Sequence, residues 1–260
     1  FELVQRGQVA EFSDVWRTAG IGIDFAEPES EVTALCIAAQ HGHHEMVKYL
    51  LTLGANVNKA SSSGNTAVHF AARSGSTLVL TLLRNAGANS ATPNKNGDTP
   101  LLQAAAAGLF DCVRWFITHG APTATSGGGG KAKPGSNLHA QNRHGMTPVM
   151  AAAARSHVRV LQLLLQHVSI SASILAAHDK DGFTALHHAA RSCAADAEEC
   201  VVLLLAAPGV ELMAKDRKGC TAQELAIAAK ADACVVAICA RFDLQGYSNS
   251  PCSVFWIQSL

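Results

Sequence analysis

From Thr33 onward the chain is written in two short apolar patterns that follow one another. Thr33 leads Ala-Leu-Cys-Ile-Ala-Ala, in which Leu35, Ala38 and Ala39 share one face of a helix. After Gly42, Met46, Val47, Leu50 and Leu51 recur at i, i+1, i+4 and i+5 until Gly54. The spacing predicts a short helix and a longer one, each ended by a glycine able to take the left-handed conformation. The stretch N-V-N-K-A-S-S-S-G-N that follows has turn chemistry and predicts an extended, hairpin-like loop. Thr33 stands where an N-cap belongs, with its hydroxyl set to receive an orphan N–H of the first turn. Where proline follows the threonine (Pro100, Pro148), it takes the first helical position, which needs no donor. A helix pair that is apolar on both flanks cannot bury both by itself, so the unit must stack on others like it.

The others are present. Thr66-Ala-Val-His-Phe-Ala-Ala and Thr99-Pro-Leu-Leu-Gln-Ala-Ala restart the phrase at a period of 33 residues. Gly75 and Gly108 repeat Gly42, and Gly87 and Gly120 repeat Gly54. Thr147-Pro-Val-Met comes 48 residues after Thr99, and the surplus contains T-S-G-G-G-G-K-A-K-P-G-S, a flexible linker composition over about 124–138. Thr184-Ala-Leu-His-His-Ala-Ala and Thr221-Ala-Gln-Glu-Leu-Ala follow at intervals of 37. The first surplus of four falls in V-S-I-S-A-S-I-L-A-A, the second between Ala190 and Val201.

A phrase T-P-L-H-x-A-A with G-A-x-x-N at this period resembles the ankyrin repeat. The resemblance implies an all-α fold: an ankyrin-repeat solenoid of about six repeats, built of stacked helix pairs joined by hairpin-like loops. The repeats cover 29–242, with starts near 29, 62, 95, 143, 180 and 217. Residues 1–28 place Leu3, Val4, Val9, Phe12, Val15 and Trp16 at helical spacing without the phrase, as a degenerate N-terminal capping unit would. Residues 243–260 form a non-repeat tail. Ala38, Ala39, Ala71, Ala72, Ala104, Ala105, Ala189 and Ala190 are expected where neighbouring helices touch.

Charge and composition narrow the function classes. Formal net charge is zero and charged residues are 15%, so no overall field favours nucleic acid or a membrane surface. Apolar runs such as Val201–Val210 are too short to span a bilayer, and no signal-peptide pattern opens the chain. A start at Phe1 suggests a processed chain or an excerpt. Eight scattered cysteines in a fold that needs no staples read as reduced thiols, hence a cytoplasmic or nuclear location.

Several features imitate chemistry without its full pattern. Gly127–Lys131 lacks the first P-loop glycine, since residue 125 is Thr, and Ala132 replaces the hydroxyl residue. The cluster His41, His43, His44 has no cysteine or carboxylate set at metal spacing. No C-x-x-C pair occurs, so the cysteines read as small buried hydrophobes. No catalytic residue, metal site or cofactor is expected. His69 and His187 fall at the family's histidine position, where the ring bridges hydrogen bonds between repeats. Cys36, Leu102, Met150 and Glu224 replace that histidine elsewhere, so the network should be incomplete.

The resemblance therefore implies a non-catalytic scaffold or adaptor that binds another protein on a concave face. The alternative is a regulatory or substrate-recruiting segment of a larger enzyme or channel. By the family's geometry, loop-tip residues and those late in the first helix line that face. They are Gln40, His41, Ser62, Ser63, Asn65, Arg73, Ser74, Lys95, Asn96 and Asp98 in the first three repeats. In the last three they are Arg143, His144, Met146, Ala154, Arg155, Lys180, Asp181, Phe183, Arg191, Ser192, Arg217 and Lys218. Cations outnumber Asp181 in the second set, which suits an acidic or phosphorylated partner segment. Asn58, within G-A-N-V-N, resembles sites modified by asparaginyl hydroxylases that act on ankyrin repeats.

Overall fold

The computed structural model describes residues 1–119, 138–167, 172–192 and 194–244. Among them are fifteen helices, and β-structure is confined to two isolated bridges, Ala26 with Thr33 and Lys215 with Thr221. The chain forms two compact units, 1–143 and 144–260. The first holds α1 (Glu2–Gln5), α2 (Val9–Ala19), α3 (Ala34–Gln40), α4 (His44–Thr52), α5 (Ala67–Ser74), α6 (Thr77–Asn85), α7 (Pro100–Ala106) and α8 (Phe110–His119). The second holds α9 (Pro148–Ala154), α10 (Val158–His167), α11 (Ala172–Leu175), α12 (Ala185–Ala190), α13 (Ala197–Ala206), α14 (Ala222–Ala228) and α15 (Asp232–Leu244).

The threonines start the short helices as their sequence positions require. Thr33, Thr99, Thr147, Thr184 and Thr221 accept the N–H of the residue three further on, at 3.2–3.4 Å. Nine residues after Thr33, Thr66, Thr99, Thr147 and Thr221 the chain turns left-handed. Gly42, Gly75 and Gly108 do so at φ 71°, 82° and 72°, while Ser156 and Lys230 hold the same place at 54° and 55°. That conformation costs a residue with a Cβ about 1–2 kcal/mol, so the register is strong enough to impose it without glycine.

Helices of six to ten residues are not stable alone in water, and packing holds these. In the first unit the short helices α3, α5 and α7 lie side by side, with α4, α6 and α8 as a second row. Ala38, Ala39, Ala71, Ala72, Ala104 and Ala105 are fully buried between the short helices. Having no side chain beyond Cβ, they let the backbones approach closely. Met46, Val47 and Leu50 fill the space between the rows. In the second unit α9, α12 and α14 make the short-helix row and α10, α13 and α15 the other, with Ala189 and Ala190 buried alike. The surplus after α10 ends in the extra turn α11, which buries Ile174 and Leu175.

Residues 1–26 follow the repeat register: α1 packs on α3, α2 on α4, and Gly7 turns at φ 71°. Beside them Phe1, Phe12, Trp16, Ile21 and Phe25 line an apolar cavity of about 190 Å³. Cys36, Cys112, Cys200, Cys220 and Cys234 are free thiols. No helix among the described residues is long and apolar enough to cross a membrane. The glycine-rich insertion up to residue 137 and the tail from 245 lie outside the described residues.

Candidate functional site

Four of the loops that lead into a threonine are clamped from within by the residue five before it. Asn94 Oδ1 accepts the N–H groups of Asn96 and Asp98, both at 2.9 Å. Asp179 Oδ1 does the same for Asp181 and Phe183, at 2.9 and 2.8 Å. Asp216 Oδ1 receives Lys218 and Cys220, both at 2.8 Å. Ser61 Oγ makes a weaker version with Asn65 N, 3.2 Å. The signal for these clamps in the sequence is Asn94, Asn142, Asp179 and Asp216 recurring five residues before a threonine, an offset outside the short apolar patterns.

The clamped loops are then tied to one another through their backbones. Ser62 N–H donates to Ser30 O, Lys95 to Ser63 O, Arg143 to Asn96 O, Lys180 to His144 O and Arg217 to Asp181 O, at 2.8–3.0 Å. The tip glycines make room for this. A Cβ on Gly64, Gly97 or Gly182 would lie 2.7–2.9 Å from the next loop's backbone nitrogen, and one on Gly145 would lie 2.8 Å from Asp179 Cα. Gly219, in the last loop, has nothing within 4 Å of that position. Because the tip backbones bond one another, they present side chains, not main chain, to a ligand.

Two histidines lock helix starts to the following loops. Thr66 N–H donates to His69 Nδ1 at 3.1 Å, so Nε2 carries the proton and donates to Asp98 O at 3.1 Å. His187 repeats this with Thr184 N at 3.2 Å and Cys220 O at 3.3 Å. Glu224 closes the last cap through Thr221 N–H at 2.7 Å without reaching a further loop. Burial lowers the pKa of both rings, opposed by their carbonyl partners. His188 is also lowered by burial, although its Nε2 lies 2.8 Å from Asp179 Oδ2.

The residues expected to face a partner divide by exposure. Gln40, His41, Arg73, Lys95, Arg143, His144, Arg155, Lys180, Asp181, Arg191, Arg217 and Lys218 are exposed. Asn65, Asp98, Met146 and Phe183 are half-buried. Asn65 Oδ1 accepts from Asn94 Nδ2 at 2.9 Å, and Asp98 Oδ1 from Asn142 Nδ2 at 2.7 Å, so both side chains serve the loop ladder. Phe183 lies under the Arg191 guanidinium, 5.0 Å from ring centroid to Cζ. Asn58 is exposed, and its Oδ1 accepts Asn89 N at 2.9 Å.

Nothing among these groups is primed as a nucleophile. Burial pushes Cys112 and Cys200 up to about 11, which keeps both as thiols at neutral pH. His41 and His43 stack at 5.8 Å, but His43 Nε2 is held 2.7 Å from Gln5 O. Among the described residues no three His, Cys, Asp or Glu side chains gather as a metal-ligand set.

A family model described as ankyrin repeats in three copies matches residues 15–93 and 128–216, and a single ankyrin-repeat model matches 96–126. Among solved structures, the human ASB11 ankyrin-repeat domain is similar with a TM-score of 0.73 and 23% identity, over 92% of this chain and 96% of that one. The ankyrin-repeat domain of Bcl-3, a member of the IkappaB protein family, gives 0.66 and 21%, over 91% and 95%. An ankyrin-repeat domain from Acinetobacter baumannii gives 0.64 and 24%, over 80% and 96%. No curated protein sequence matches this chain.

Proposed function

The chain belongs to the ankyrin-repeat family, and from that premise we propose that it is a non-catalytic scaffold or adaptor that binds another protein, with an acidic or phosphorylated segment as its preferred ligand. One internal contrast carries the reading. The positions that build the repeat recur from one unit to the next: threonine caps, paired alanines, the Asn or Asp clamp and the tip glycine. The tip pairs, exposed except for half-buried Ser62, do not recur; they are Ser62-Ser63, Lys95-Asn96, Arg143-His144, Lys180-Asp181 and Arg217-Lys218. A fixed frame with varied exposed side chains suits recognition of one particular surface. Among the candidate residues of the second unit, Arg155, Lys180, Arg191, Arg217 and Lys218 face a single acid, Asp181. Arginine beside an aromatic is a frequent source of interface energy. The chain's scattered cysteines, with no C-x-x-C pair in a fold that needs no staples, support work in the cytoplasm or nucleus.

A photo-crosslinking residue tests the reading. Placed at Lys95 or Lys180 in cells, it should trap a discrete partner, and at exposed Arg84 or Gln162 on the second helix row it should not. Adducts of equal yield from both sets, or from the second row alone, would overturn it.

A further inference from the structure

Arg155 and Arg191 end α9 and α12, which lie side by side in the second unit. The residues that follow them touch: Ser156 Oγ and Ser192 Oγ are 2.9 Å apart. That contact brings the two arginines to neighbouring positions across the repeat boundary. Both are exposed, and no ion pair joins either of them to a carboxylate of the described residues.

Arg191 is held in place. Its guanidinium lies over the Phe183 ring at 5.0 Å, and the edge of that ring meets His188 at 5.4 Å. His188 is in turn fixed by Asp179 at 2.8 Å, with both side chains almost fully buried. Stacking occupies the face of the guanidinium and leaves its in-plane N–H donors for a ligand. Of the two serine hydroxyl protons, one makes the bond between them and the other remains to be donated.

Resting on the protein-binding reading above, we propose that Arg155 and Arg191 clamp a phosphoserine or phosphothreonine of the partner protein. A carboxylate has two oxygens and satisfies one guanidinium fork. A phosphate offers three oxygens and a charge of about −1.5 to −2, so it bridges two forks and relieves the repulsion between them. The arginines also complement the negative ends of α9 and α12. That contribution appears in stability and leaves anion selectivity untouched.

The probe is the pentapeptide acetyl-Gly-Gly-phosphoserine-Gly-Gly-amide, compared with its serine and glutamate forms, and the readout is the arginine Nε–Hε NMR signals of the intact chain. The phosphopeptide should shift Arg155 and Arg191 saturably with a Kd of millimolar order. The glutamate form should bind several-fold more weakly and the serine form should give no shift. Arg191→Gln should weaken binding about tenfold or more, as loss of a charge-assisted pair does. Phe183→Leu should cost about threefold by freeing Arg191, and Asp181→Asn should strengthen binding. Shifts of Arg73 and Arg217 equal to those of the pair, equal response to glutamate, or no saturation by about 10 mM would each overturn the clamp. A crosslinked partner that binds equally before and after phosphatase treatment would remove the phosphate site and leave the scaffold standing.

Discussion

Asp179 and Asp216 hold the same place in successive loops, yet their second carboxylate oxygens have different fates. Asp179 Oδ2 meets His188, four residues after its threonine. The matching residue after Thr221 is Leu225, and Asp216 Oδ2 is buried with no hydrogen-bond partner. An unsatisfied buried polar atom costs about 1–3 kcal/mol. Asn94 shows that a carboxamide does the clamping equally well. Asp216→Asn should therefore keep both clamp bonds while leaving Nδ2 as unpaired as Oδ2 was, with stability changed by less than about 1 kcal/mol, read as a nearly unchanged urea midpoint and m-value. A lower midpoint would mean that the carboxylate charge itself is needed, for example toward His187.

The loops separate two roles of glycine that usually come together. Gly182 and Gly219 both sit at φ 82°, so alanine pays the same left-handed cost of about 1 kcal/mol at either. At Gly182 the new Cβ would also lie 2.9 Å from Arg217 N, whereas at Gly219 it meets open space. Gly182→Ala should consequently destabilise by about 1–3 kcal/mol more than Gly219→Ala, and equal losses in chemical denaturation would deny the close approach. These elements were largely legible in the sequence, because cap, glycine stop and alanine pair follow from local rules that repeat at a fixed period. Less legible was what holds one unit to the next. Asn65 and Asp98 sit at tip offsets that the family's geometry assigns to ligand contact, but their side chains reach across to neighbouring loops, a pairing set by tertiary distance. The stack of Phe183 beneath Arg191 was hidden for the same reason, since their eight-residue separation carries no periodic signal.

Across the whole molecule, three buried histidines couple stability to pH. Burial lowers His69, His187 and His188 in the folded chain, while unfolding returns them to the ordinary value of 6.5. The unfolded state thus binds more protons below about pH 6.5. Stability from these rings is fully present above that value and declines as pH falls through it. Urea midpoints should drop between pH 7.5 and pH 5.5, and a flat profile would show that the rings titrate normally in place. The same histidines make the joints of the stack unequal. His69 bridges the second repeat to the third and His187 the fifth to the sixth, whereas Cys36 and Met150 leave the seams after them without such a bolt. Units that look alike in sequence therefore do not part with equal ease. Breathing concentrates at the unbolted seams, and the order in which the inner helix faces meet water is written into one side chain per repeat.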